Sequence, residues 1–200
     1  MLILASRSTA RKALLTGAGL RFATSPAAID ERDLEADVLG KGGGPPAVAR
    51  RLAEAKALDA STQPGQVVIG ADQVLALGDE LFHKPASLDA ARAQLDRLRG
   101  RTHQLHAGVA LAVDGLLSWS AVETASLTMR RFSAAERDAV LALEGDAVLA
   151  SVGAYRLEGP SIRLFDRIEG DYFSILGLPL LPLLAALRQH APAVMEDHPR

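Results

Sequence analysis

Every odd position from Leu105 to Val113 is apolar: Leu105, Ala107, Val109, Leu111 and Val113. A period of two over that length does not suit a helix face; it suits a strand whose alternate side chains are buried. Asp114-Gly115 follows at once, a dipeptide that favours a tight hairpin turn, and a second strand is predicted around Leu117–Met129. The middle of the chain is therefore committed to a sheet. Its start reads differently. Leu2–Ala5 is a short apolar run that stops at Ser6-Arg7-Ser8-Thr9, and a helical stretch over Arg11–Ala18 closes near Gly17 and Gly19. That order is strand, polar loop, helix. Val67–Ala71 is a further buried strand that runs directly into Asp72, and Gly78-Asp79 reads as the turn of a hairpin between Val74–Leu77 and Leu81–His83. Helices and strands that alternate early, followed by hairpins, predict an α/β fold on a mixed sheet.

The remaining elements follow from shorter signals. A brief strand around Phe22–Thr24 leads into the acidic stretch Asp30-Glu31-Arg32-Asp33, read as a loop. Gly40–Gly44 is the most flexible-looking internal stretch, and Pro45-Pro46 opens a helix over Ala47–Ala60. Leu88, Ala91, Leu95 and Leu98 recur at helical spacing before Gly100. Ser133 and Glu136 make a capping box for a helix over Ala134–Leu143. Ile162–Ile168 is a strand candidate with Gly170-Asp171 as its turn, and the last helix is predicted over Leu180–His190. One domain over residues 1–190 is expected, with 191–200 as a flexible tail.

Composition removes whole classes of function. There is no cysteine, so disulfides, thiolate metal sites and cysteine nucleophiles are excluded. With 22 Lys and Arg against 24 Asp and Glu, the formal charge is -2, which gives no footprint for nucleic acid or an anionic membrane. Aromatic residues at 4% supply no stacking platform for single strands. No run approaches the ~20 apolar residues of a membrane span. Met1–Ser6 is too short for a signal peptide and lacks its basic leader, so a cytoplasmic protein is expected. Gly40-Lys41 is not followed by Ser or Thr, which rules out a P-loop, and no G-x-S-x-G elbow occurs. His103 and His106 would point to opposite faces of a strand, which makes them a poor metal pair.

What remains are residues suited to phosphate. Ser6, Ser8 and Arg11 lie between a strand end and a helix start, where hydroxyls, free N–H groups and the helix dipole favour an anion. Arg11 adds a fork able to grip phosphate oxygens. The plainer alternative is helix capping by Ser8 or Thr9 with Arg11 on a solvated face. Asp72 falls just past a strand, where open α/β sheets place their active sites; it suits a Mg²⁺ ligand, a proton acceptor or simply a turn. Asp30-Glu31 offers a second pair of carboxylates or a solvated loop. Only four lysines occur, Lys12, Lys41, Lys56 and Lys84, in a chain whose cations are otherwise arginine. Lys56 on a helix and Lys84 before Pro85 are either placed ammonium groups or ordinary surface residues.

Taken in order, these pieces resemble the Maf family of nucleoside triphosphate pyrophosphatases, also called septum-formation inhibitor proteins. The matching segments are Leu4–Arg11, Asp30-Glu31, Leu52–Ala57, Gly70–Val74, Lys84-Pro85, Gly100–His103, Gly153–Tyr155, Glu158-Gly159 and Gly177–Leu180. The resemblance implies a mixed, strongly bent sheet flanked by helices with a long cleft. It also implies cleavage of a nucleoside triphosphate to the monophosphate and pyrophosphate with a divalent cation, Mg²⁺ or Mn²⁺, and a homodimer. Carried over by position, Asp72 resembles the proton acceptor, while Ser8, Arg11, Glu31, Lys56 and Lys84 resemble the grip on phosphate and metal. Asp72 and Glu31 are the metal-ligand candidates, and Ser6, Ser8, Ala10, Gln73 and Glu158 the substrate-binding ones. Thr9 and Ala10 stand where the family usually carries Pro and then Arg or Trp. Members preferring dTTP and UTP carry Thr and Gln at the places of Gln73 and Glu158, so this chain resembles the 7-methyl-GTP branch; Ala10 matches neither. The competing readings are a dTTP/UTP pyrophosphatase and a nucleotide-binding regulator of septum formation without turnover.

Overall fold

Seven strands hydrogen-bond into one mixed sheet in the computed structural model, which describes residues 1–196. The strands are β1 (Leu2–Leu4), β2 (Ala23–Thr24), β3 (Val67–Leu77), β4 (Glu80–Phe82), β5 (Thr102–Val113), β6 (Leu116–Met129) and β7 (Phe165–Glu169). Their order is β2-β1-β3-β5-β6-β7, with β4 paired to β3. β1 runs parallel to both β2 and β3, whereas β4 on β3 and β7 on β6 are antiparallel. Asp114 and Gly115 both have positive φ, 52° and 81°, as a type I′ hairpin requires. The helices are α1 (Thr9–Gly17), α2 (Glu31–Gly40), α3 (Pro45–Ala60), α4 (Leu88–Leu98), α5 (Ala134–Glu144), α6 (Tyr172–Ile175) and α7 (Leu180–His190). Among the described residues no helix is long and apolar enough to cross a membrane.

The chain forms two compact units, each assembled from separate segments. The first comprises residues 1–73, 107–123 and the chain from 171 onward; the second comprises 74–106 and 124–170. In the first unit the sheet buries both faces, and the period of two sorts its side chains. Leu2, Leu4, Val67, Ile69, Ala71, Val109 and Leu111 pack with Leu15 of α1 and Leu180, Leu183 and Leu187 of α7. Ile3, Ala5, Val68, Ala110 and Ala112 face the other way, against Ala53, Ala57 and Ala60 of α3. Those alanines let α3 lie very close to the strands. A Cβ added at Gly70 would run into the backbone at Ala53 and Ala57, and one at Gly108 into the backbone at Ala49.

Several elements depart from the expected ones. The acidic stretch is no loop: Asp30 caps α2, accepting the Arg32 and Asp33 amides at 3.0 and 3.1 Å, and Glu31 and Asp33 fill the first turn. Acid at a helix start is stabilised by the free N–H groups and the dipole there. Val67–Ala71 and Val74–Leu77 are one continuous strand, so Asp72 lies within β3 and not beyond its end. Its parallel partner β1 stops opposite Ile69. The strand expected over Ile162–Ile168 begins at Phe165, after a 3-10 turn over Pro160–Leu164. The tail expected over 191–200 starts with a buried Ala191 and a 3-10 turn over Pro192–Val194; residues 197–200, His198 included, lie outside the described residues. By contrast, α7 has its expected bounds, and α5 carries both halves of the capping box.

The second unit buries a histidine. His103 on β5 is 1% exposed, with Nε2 2.8 Å from the Tyr155 hydroxyl and its ring against Tyr155 and Phe165. Burial pushes its pKa down from 6.5 to about 4, so the folded protein holds it neutral where the unfolded chain would already take up a proton. Stability from this group is present above pH ~6.5 and is lost as pH falls from there toward 4. We expect denaturant unfolding at pH 7 and pH 4.5 to differ by roughly 2 kcal/mol less in His103→Gln than in the wild type. An equal pH difference in both proteins would assign the acid sensitivity to other groups.

Candidate active site

Three consecutive residues of β3 organise the site in the first unit. Asp72 shares its sheet face with Val68 and Gly70, the face that α3 covers, so its carboxylate meets that helix. Lys56 lies on α3 within the buried stripe Ala53-Ala57-Ala60, which aims its ammonium at the same place. Nζ of Lys56 is 2.6 Å from Oδ1 of Asp72 and 2.7 Å from Oε1 of Glu31. The side chains of Lys56 and Asp72 are each 12% exposed, whereas that of Glu31 is 54% exposed. Asp72 and Lys56 are thus a fixed, largely desolvated pair, and Glu31 at the start of α2 is the member with room to change partners.

Arg11 enters from the opposite sheet face, on the first turn of α1. Nε donates to the Gly177 carbonyl at 2.7 Å, and Nη1 donates to the Ala71 carbonyl at 2.9 Å and to Oγ of Ser6 at 3.2 Å. Burial lowers the guanidinium pKa, while Asp72 and Glu31 pull it back up. The group keeps its charge and its direction. Ser6 is buried and its Oγ also accepts the Ser8 amide at 3.2 Å. Ser8 caps α1, accepting the Arg11 amide at 3.3 Å. The helix-capping alternative is therefore correct for Ser8, but Arg11 is not on a solvated face. Ala10 follows in the same turn, half-buried.

The first unit therefore brings together Ser6, Ser8, Ala10, Arg11, Glu31, Lys56, Asp72 and Gln73. Lys84 and Glu158 belong to the second unit. Lys84 is exposed on the loop between β4 and α4, whose His83 carbonyl accepts from Gln94 on α4 at 2.5 Å. Glu158 is exposed on a loop anchored by buried Glu144, which accepts the Ser161 amide and hydroxyl at 2.9 and 2.8 Å and pairs with Arg156 at 3.0 Å. Sequence reasoning missed the carbonyls of Ala71 and Gly177, because backbone acceptors leave no residue-type signal. A glycine just ahead of Leu178-Pro179 was the only available pointer to the second.

Arg11, Lys56, Asp72 and Glu31 sum to zero charge, so the cluster as it stands gains little by attracting a polyanion. A polyanionic ligand needs more positive charge than this, such as a divalent cation supplies. Among the described residues no three His, Asp or Glu side chains converge as a ready-made metal cage. Two carboxylates meeting at one ammonium are nonetheless hard oxygen donors of the kind Mg²⁺ uses when substrate phosphates and water complete its shell. The donor set fits such an ion.

Comparison with known proteins gives consistent results along nearly the whole chain. A family profile described as Maf-like protein matches residues 1–190. The chain is 54% identical over 189 residues to a Brucella abortus protein named 7-methyl-GTP pyrophosphatase, covering 94% of this chain and 95% of that one. A Mesorhizobium japonicum protein of the same name is 53% identical over 188 residues, covering 94% of each. A Bradyrhizobium diazoefficiens protein named nucleoside triphosphate pyrophosphatase is 54% identical over 188 residues, covering 94% of this chain and 92% of that one.

Proposed function

The chain belongs to the Maf family, and on that premise we propose that it hydrolyses nucleoside triphosphates between the α and β phosphates, with 7-methyl-GTP as preferred substrate. The observation that carries the reading is the cluster of Arg11, Lys56, Asp72 and Glu31, with two cations and two carboxylates brought together from four separate elements, α1, α3, β3 and α2. Water adds to the α-phosphorus, the α–β bridging bond breaks toward the leaving group, and monophosphate and pyrophosphate depart. Such a reaction is accelerated chiefly by positioning and by neutralising charge on the leaving group. Asp72 accepts the water's proton, and Lys56, released from the two carboxylates, turns its charge to phosphate oxygens. Arg11 and Lys84 neutralise the leaving pyrophosphate. Ser8 takes only the Arg11 amide at the start of α1, which leaves the Thr9 and Ala10 amides for an anion. A divalent cation, Mg²⁺ or Mn²⁺, would be held by Glu31 and Asp72 and would supply charge neutralisation on the phosphates.

The test is a panel of nucleotides with Mg²⁺ or Mn²⁺, scored for product. Pyrophosphate release supports the reading, orthophosphate would mean a phosphatase, and tight binding without turnover would favour the regulator. Nothing in the site favours the regulator, since a pure binder has no need of a buried acid paired with a lysine.

Base preference is carried by Glu158. A 7-methylguanine ring is positively charged and presents N1–H and N2–H donors along one edge, which a carboxylate accepts with charge assistance. Thymine and uracil present an N–H between two carbonyl oxygens, which a carboxylate repels and an amide tolerates. Glu158→Gln should therefore narrow the preference for 7-methyl-GTP over dTTP and UTP by about tenfold or more, within the ~1–3 kcal/mol of a mispaired polar group. Specificity constants for the three nucleotides on both proteins decide it; an unchanged ratio removes Glu158 from the base site.

A further inference from the structure

We infer that Gln73 is a positioning residue for Arg11, acting through the turn after α6, and not a reader of the base. This rests on the pyrophosphatase reading above and assigns a role within that site. Gln73 follows Asp72 on β3, so its side chain leaves by the other sheet face, the face of α1 and α7. There its amide donates to the Ile175 carbonyl at 2.9 Å and to the Ser174 carbonyl at 3.2 Å. A glutamine amide has two hydrogens, and both are spent on main chain. The opposite amide orientation would set Oε1 against two carbonyl oxygens, so the network fixes which end is nitrogen.

Those two carbonyls end a helix of only four residues, and helix-end carbonyls need donors from outside the helix. The Gly177 amide shares the Ser174 carbonyl at 2.9 Å, and the Gly177 carbonyl receives Nε of Arg11 at 2.7 Å. Gly177 has φ 96°, and a Cβ there would sit 3.4 Å from Nε of Arg11 and 3.7 Å from Oε1 of Gln73. The connection is continuous: amide of Gln73, end of α6, carbonyl of Gly177, guanidinium of Arg11. The preceding residue works in the same direction, because the Ala71 carbonyl holds Nη1. Both donors are committed to the backbone, and the remaining acceptor, Oε1, lies beside Gly177, 3.7 Å from where its Cβ would stand, so main chain fixes both ends of the amide. Losing it frees the turn and lets Nε of Arg11 drift, and small misplacements of a charge-bearing group cost turnover steeply.

The test is a double-mutant cycle of Gln73→Met with Arg11→Ala, followed on 7-methyl-GTP and dTTP. Gln73→Met should lower kcat roughly 10–100-fold on both nucleotides alike, leaving their ratio unchanged. In the Arg11→Ala background the same change should cost less than about twofold, since the group it positions is gone. A melting curve accompanies each variant, and if Gln73→Met does not fold, Gln73→Asn, whose amide is one methylene short of both carbonyls, takes its place. A changed nucleotide ratio, or a full loss repeated in the Arg11→Ala background, overturns the positioning role while the wild type still releases pyrophosphate. A wild type that releases none overturns the reading on which it rests.

Discussion

Asp72→Asn should lower kcat by roughly 10²–10⁴-fold, the range that a positioned general base commands, while nucleotide affinity changes little. Asn keeps the shape of the side chain and its place on β3, and takes away only the ability to hold a proton. Stability should survive, because Lys56 does not lose its only counter-charge. Glu31 remains 2.7 Å from the ammonium, so the change falls short of the about 3–5 kcal/mol that stranding a buried charge costs. The measurement is kcat under saturating nucleotide, beside a melting curve and a binding titration. A variant within threefold of wild-type turnover would leave Asp72 as the partner of Lys56 and nothing more. A variant that binds nucleotide poorly but turns over normally when saturated would make it a binding residue instead.

How Asp72 comes to face Lys56 was half legible in the sequence. The parity of β3 was readable: Val68, Gly70 and Asp72 share one face, while Val67, Ile69, Ala71 and Gln73 share the other. Helical spacing was readable too, since Ala53, Lys56, Ala57 and Ala60 fall on one stripe of α3. That the two stripes meet depends on Gly70 and Gly108 yielding space to α3, a tertiary fact that no local pattern carries. The resemblance to the family supplied Lys56 and Asp72 where spacing alone could not.

The misses have a common cause. α2 buries no residue, so it has no apolar stripe to betray it, and its start looks like an acidic loop because its cap and first turn are acid. α6 has four residues, too few for any periodicity. Elements of this kind are held by caps and by contacts from elsewhere in the chain, which leave no signal in the segment itself. The long hairpin, α5 with its capping box and α7 were readable because each carries its signal within its own residues.

Arg11→Ala should weaken kcat/KM by about 10²–10³-fold, the cost of deleting one placed donor to developing charge. Most of this should appear in kcat, because a guanidinium aimed at the leaving pyrophosphate acts more strongly in the transition state than in the bound triphosphate. On the solvated face that the capping alternative gave it, Arg11 could be removed without cost to the fold. The structure says otherwise. Arg11 donates to the carbonyls of Gly177 and Ala71 and to Ser6, so truncation leaves part-buried acceptors without donors. A penalty of about 2 kcal/mol follows for hydrogen bonds from a charged group, or roughly 4–8 °C in Tm for a chain of this size. Arg11→Lys separates the two effects: it keeps a positive charge but cannot reach three acceptors from one planar fork. It should recover part of the turnover and little of the stability. If Arg11→Lys instead restores Tm and leaves turnover as low as in Arg11→Ala, charge on the leaving group is not what Arg11 supplies, and its planar fork is needed at the phosphate itself.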